Sequence, residues 1–236
     1  MIPIIEATPA TRVTPPLPAR PTLDLQALSH HYGEVVTLQR VELQLYPGEL
    51  VALVGPSGSG KTTLLAIAGG LLRPTRGLCH IAGQDLYGPK GARPEVARQA
   101  AYILQAAGTI PFLTVTENLL VRTVLVGQRV TKAQRALAQD LLARVDLAAK
   151  ARRLPNQLSA GERQRVCVAA ALYTQAPLIL ADEPTASLDR RRGRAVMELL
   201  AAHAQQQRAS VLVATHDERS LDLAHRVITI EDGVLT

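Results

Sequence analysis

The sequence predicts an α/β fold built on a mainly parallel sheet with helices on both faces. Three observations carry that prediction. Four short uncharged runs stand out, Leu50–Val54, Leu178–Ala181, Val211–Ala214 and Val227–Ile230. A strand buried on both faces reads as an apolar run because neither side of its pleat meets water. Helical stretches lie between them: Lys61–Ala68 follows the first, and Arg194–Ala204 carries Ala195, Val196, Leu199 and Leu200 at helical spacing. Strands that alternate with helices favour parallel pairing, since each crossover packs back onto the sheet. The middle of the chain, about Thr114 to Tyr173, reads as helices without a strand. It is expected to be a helical insertion into one α/β core.

At the N-terminus, six prolines (Pro3, Pro9, Pro15, Pro16, Pro18 and Pro21) fall within 21 residues. Proline supplies no N–H to a helix or a ladder, so residues 1–21 are expected to be a flexible tail. Leu23–Leu28 and Val41–Leu45 alternate apolar and polar residues, as half-buried strands do. The Leu50–Val54 run leads into a glycine-rich turn and then the first helix. Residues 22–236 are expected to form a single domain, with no internal repeat.

Composition narrows the functional classes. The 236 residues are 47% hydrophobic and 19% charged, which excludes a generally disordered chain. Cys79 and Cys167 are the only cysteines and lack paired spacing, so neither a disulfide framework nor a Cys-based zinc site is expected. A net charge of +6 admits anionic ligands or an acidic membrane face. Nucleic acid is not an expected partner, because one Phe, five Tyr and no Trp leave few rings for stacking on bases. The Arg190–Arg191–Arg192 cluster with Arg194 reads as a solvated helix face. No uncharged apolar run approaches the roughly 20 residues that cross a bilayer. Met1–Arg20 has no basic start of the secretory kind. A soluble, cytoplasmic protein is expected.

Gly55–Thr62 reads GPSGSGKT, which satisfies G-x-x-x-x-G-K-[ST] between a buried strand and a helix. Gly55, Gly58 and Gly60 let the backbone wrap closely around phosphates with N–H groups pointing inward. The helix adds its positive dipole end. Lys61 would reach the β- and γ-phosphates, and the Thr62 hydroxyl would ligate Mg²⁺. The segment therefore predicts binding of a nucleoside triphosphate.

Leu178–Pro184 reads LILADEP, an apolar strand that ends in two carboxylates. Asp182 would hold Mg²⁺ opposite Thr62. Glu183, expected to point the other way along the pleat, would polarise an attacking water. An acidic pair after a strand often only caps a helix; the preceding phosphate loop makes this one a catalytic candidate.

The remaining motifs come in a fixed order. Leu158–Arg165 reads LSAGERQR, Ser187–Leu188–Asp189 follows the carboxylates, and Thr215–His216–Asp217 follows the next strand. With these, the chain from about Leu23 to Val234 resembles an ATP-binding-cassette (ABC) ATPase. The resemblance implies a P-loop NTPase core, an N-terminal antiparallel β subdomain and an inserted helical subdomain at about 106–173. It implies ATP and Mg²⁺ as ligands, held by Gly55, Pro56, Ser57, Gly58, Ser59, Gly60, Lys61, Thr62 and Thr63. Tyr32 matches the ring that stacks on adenine. Gln105 matches the glutamine that touches Mg²⁺ and the water. His216 matches the histidine on the γ-phosphate. Ser159, Gly161 and Glu162 belong to the signature segment that meets the nucleotide of a second cassette, and Asp189 links the two sites. Two such subunits would sandwich two ATP molecules head to tail.

Some positions depart from the common pattern. Ala160 stands for a glycine, Glu162 for a glutamine, and Ala170 where an arginine is frequent. Glu162 and the ending Arg226–Gly233 look most like the macrolide-exporter, lipoprotein-release and cell-division group. That group implies separate multi-span membrane permease subunits, in some systems a periplasmic adaptor, and a place on the inner face of the cell membrane. An importer ATPase for small solutes and a non-transport ABC regulator are the alternative readings. Ala106–Leu119 is expected to form part of a groove for a helix of the membrane subunit, with Ile110, Phe112 and Leu113 as its apolar lining. The other possibility is that these three pack inside the helical insertion.

Overall fold

The computed structural model describes residues 20–104 and 108–236, with Glu218 and Arg219 described by backbone alone. All but the last two residues of the expected tail, and Gln105 with Ala106, lie outside the described residues. The chain opens with β1 (Leu23–Tyr32), β2 (Val35–Leu45), β3 (Leu50–Val54) and α1 (Lys61–Ala68). Next come β4 (Arg76–Ile81), the short pieces β5 (Gln84–Asp85), β6 (Tyr87–Gly88) and β7 (Gly91–Ala92), α2 (Pro94–Ala97) and β8 (Ala100–Ile103). Three helices follow, α3 (Val115–Leu125), α4 (Lys132–Arg144) and α5 (Ala160–Tyr173). The chain closes with β9 (Leu178–Asp182), α6 (Arg190–Gln207), β10 (Ser210–Ala214), β11 (Arg226–Glu231) and β12 (Val234–Leu235).

The central sheet runs β12-β11-β3-β10-β9-β8 and is parallel except for β12 at its edge. Its strands are buried on alternating sides. Leu50, Ala52, Ile179, Ala181, Val211 and Val213 pack with α5 and α6, whereas Val51, Leu53, Leu178, Leu180, Leu212 and Ala214 pack with α1 and β1. Both faces are therefore dry, which is why these strands carry no polar alternation. The second sheet, β2-β1-β4-β5, is antiparallel and lies over α1.

Each helix of the inserted unit begins with the same device. Thr114 and Glu117, Thr131 and Gln134, and Ser159 and Glu162 form reciprocal capping boxes at α3, α4 and α5. A cap of this kind satisfies two otherwise orphaned N–H groups and contributes about 1 kcal/mol. The buried stripe of α6 differs from the expected one. Val196, Met197, Leu200, His203 and Ala204 are buried, Ala195 is exposed and Leu199 half-buried. The stripe starts from Gly193, whose bare backbone lies against Thr185, and repeats every helical turn from there.

Candidate active site

The phosphate loop leaves β3 at Val54 and enters α1 at Lys61. Gly60 holds a left-handed φ of 106°, and a Cβ there would lie 2.8 Å from the Thr37 carbonyl oxygen. At Gly55 a Cβ would lie 2.1 Å from the Ile230 carbonyl oxygen. Neither position accepts a side chain without displacing backbone. No side chain caps α1 and no acid stands in its first turn, so its first N–H groups are left for an anion. The Lys61 ammonium donates to the carbonyls of Gly55 and Pro56, both at 2.8 Å, and holds the loop round itself. On the far side, the Gly233 N–H donates to the Ser59 carbonyl at 3.1 Å.

The two carboxylates come from one strand end but not from one pleat. Asp182 is the last residue of β9 and lines the same cleft as Thr62. Burial raises its pKa, the nearby Thr62 hydroxyl opposes that shift, and the neighbouring Glu183 charge adds to it. Glu183 lies beyond the strand in the left-handed region, with φ 49°. Its direction is thus set by a turn, which corrects the expected pleat alternation. Such a φ costs a non-glycine residue about 1 kcal/mol or more and persists only where surrounding bonds enforce it. Here the Glu183 N–H donates to the Ala214 carbonyl at 2.9 Å. Its Oε1 accepts from the His216 N–H at 3.1 Å and lies 2.7 Å from His216 Nδ1, while Thr215 Oγ1 donates to Oε2 at 3.4 Å. Glu183 is buried, and the His216 side chain is 72% exposed.

A cleft of about 540 Å³ gathers Ser57, Gly58, Gly60, Lys61, Thr62, Thr63, Asp182, Glu183 and His216. Thr37 lines it too, and no sequence signal marks that residue: it is one half-buried threonine in the β2 strand. Tyr32 stands apart from this lining at the end of β1, 54% exposed and edge-on to His30 at 4.6 Å. Ser159, Gly161 and Glu162 also stand outside the cleft. Glu162 uses both carboxylate oxygens locally: Oε2 accepts from the Ser159 N–H at 3.1 Å, and Oε1 pairs with Lys150 Nζ at 2.5 Å. Lys150, then Ser159, hold its carboxyl below the ordinary glutamate value. Asp189 caps α6 and accepts from the Arg192 N–H at 2.9 Å, which lowers its pKa. Phe112 is 78% exposed, so it does not pack inside the helical unit. The groove of about 190 Å³ beside α3 and α5 is lined by residues such as Tyr102, Leu104, Thr109, Leu119 and Cys167, not by Ile110, Phe112 or Leu113.

Residues 38–186, which contain the phosphate loop, the signature segment and both carboxylates, match the family described as ABC transporter. The chain belongs to the ABC transporter family. It is an ATP-binding cassette that hydrolyses ATP. The cassette is 42% identical over 219 residues to the lipoprotein-releasing system ATP-binding protein LolD of Shewanella oneidensis, covering 90% of this chain and 95% of that protein. It is 40% identical over 220 residues to the macrolide export ATP-binding/permease protein MacB of Rhodopseudomonas palustris (strain HaA2), covering 91% of this chain and 33% of that protein. Among solved structures, a dimeric post-hydrolysis state of the cassette MJ0796 bound to ADP and Pi superposes with a TM-score of 0.81 at 32% identity. That superposition covers 90% of this chain and 96% of that one.

Proposed function

We propose that two copies of the cassette share two ATP sites and drive an export or lipoprotein-release type of system through separate membrane subunits. One observation supports this most: the phosphate loop, Asp182, Glu183 and His216 gather round one cleft, and the Ser159–Glu162 turn stands outside it. A single chain thus holds two halves of a site that do not meet. A second copy laid head to tail would bring its Ser159 and Gly161 to this cleft, with Asp189 at the join.

In this reading Lys61 and the loop amides bind the β- and γ-phosphates, and the exposed Tyr32 ring takes the adenine. Glu183 accepts a hydrogen bond from the water that attacks the γ-phosphorus, as the bond to the ADP oxygen breaks. His216, now on Glu183, is placed to exchange that contact for the γ-phosphate. Thr62 and Asp182 fit Mg²⁺, because a hydroxyl and a carboxylate that line one cleft are the hard donors it takes beside phosphate oxygens. When bound, that ion offsets phosphate charge. Gln105 is proposed as a further contact to it. Glu162 is assigned to holding its own turn, since both its oxygens are occupied within the chain.

The relatives named for lipoprotein release and macrolide export support an export-type role. Among the described residues no helix is long and apolar enough to cross a membrane, so the proposed place on the inner membrane face depends on membrane subunits, with an adaptor beyond them. Affinity purification of the tagged chain from detergent-solubilised membranes checks this. A multi-span membrane protein should co-purify and raise the ATPase rate. Recovery of the chain without one would count against the transport reading and favour the regulator.

A further inference from the structure

Lys150 belongs to no motif, yet it occupies a junction. It ends a single 3₁₀ turn at Ala148–Lys150, between α4 and the signature segment. Its side chain is one-third exposed, and its ammonium meets Glu162 Oε1 at 2.5 Å. The other Glu162 oxygen holds the Ser159 N–H, and Ser159 Oγ in return accepts from the Glu162 N–H at 3.2 Å. Glu162 has two anchors, therefore, and Lys150 is the charged one. Free of Lys150, a glutamate in the first turn can leave the cap for water; paired, it is held by a charge-assisted bond in a half-buried place.

The residues just after this turn grip the start of α3. The Val115 N–H donates to the Arg153 carbonyl at 2.9 Å, and the Thr116 N–H and hydroxyl both donate to the Ala151 carbonyl at 3.0 Å. Arg153 in turn donates its N–H to the Lys150 carbonyl at 2.9 Å. Just before α3, the loop that carries Phe112 is stapled by Asn118. Its side chain accepts from the Ile110 N–H at 2.7 Å and donates to the Leu113 and Thr114 carbonyls, both at 2.9 Å. A continuous path of hydrogen bonds thus joins the Phe112 loop, the head of α3, the 150–153 turn and the Ser159 cap.

We propose that Lys150 is a positioning residue for ATP hydrolysis. It locks Glu162 onto the Ser159 turn and ties that turn to the head of α3, so that the signature segment and the Phe112 loop move as one piece. This rests on the reading that Ser159 completes the site of a second copy.

The test uses the purified full chain, with kcat and KM for ATP measured beside the thermal midpoint. Lys150→Met keeps the stem and removes the charge. It should lower kcat about tenfold, as expected when a reacting group is held less well, and leave KM within about twofold. Lys150→Arg should restore kcat to within about threefold. The reversed pair, Lys150→Glu with Glu162→Lys, rebuilds an ion pair but puts a donor where Ser159 needs an acceptor, so it should not restore kcat. In a Glu162→Gln background, Lys150→Met should have no further effect on kcat, because the charge it pairs with is gone. A folded Lys150→Met protein with wild-type kcat would overturn the proposal. So would a Lys150→Met loss that is as large in the Glu162→Gln background, or full rescue by the reversed pair. Ser159→Arg separates the layers: normal hydrolysis by that variant would refute the shared-site reading itself.

Discussion

Lys61 donates to two carbonyls of its own loop, so its charge already lies at the mouth of α1. Lys61→Ala removes the one ammonium among the described residues lining that cleft and should cut hydrolysis at least about 10²-fold, the size of a lost oxyanion-type donor. The fold should survive, and weakened ATP binding by calorimetry checks the assignment. His203 makes a pH prediction. It is buried on α6, and burial, with the Arg144 charge adding, lowers its pKa from the ordinary 6.5. The unfolded chain binds its proton first as pH falls through 6.5, so the folded state loses stability below that value. Denaturant unfolding at pH 7.5 and 5.5 should show that loss, and His203→Leu should shrink it. At this scale the sequence reads unevenly. Lys61, Thr62 and Asp182 announce themselves because their backbone setting and chemistry are fixed together. Thr37 does not, since it reaches the cleft only through the packing of β2 against the loop.

Elements are legible where one force dominates. Leu50–Val54 and Val211–Ala214 match β3 and β10 because burial on both faces leaves nothing polar. β4 is hard to see: it buries only Cys79 and Ile81, and its first three residues are exposed. Pleat alternation misplaces Glu183 for a related reason, because it stops where the strand stops and a left-handed turn takes over. The loop before α3 joins both lessons. Asn118 reads as a helical polar residue, yet its side chain holds Ile110, Leu113 and Thr114 and leaves Phe112 in water. We propose this exposed ring as a contact for the membrane subunit. Phe112→Asp should shift stability by no more than about 0.5 kcal/mol, as surface substitutions do. Basal ATPase should stay within about twofold, while co-purification of the membrane subunit is lost. Loss of folding would show that the ring packs after all.

On the scale of the molecule, the central observation is that the candidate cleft and the Ser159–Glu162 turn do not meet within one chain. Glu183→Gln keeps size and an acceptor but removes basicity, an effect on the rate of about 10²–10⁴-fold. ATP binding through Lys61, Thr62 and the loop amides is untouched. On the proposed shared-site reading, closure uses Ser159 and Gly161 of the other copy, which the substitution also spares. The measurement is size-exclusion chromatography of Glu183→Gln with ATP, alone and combined with Ser159→Arg. Glu183→Gln should elute as an ATP-dependent dimer, and the double variant as a monomer, because an arginine there blocks approach to the phosphate. A dimer that forms without ATP, or one that persists in the double variant, would contradict the shared site.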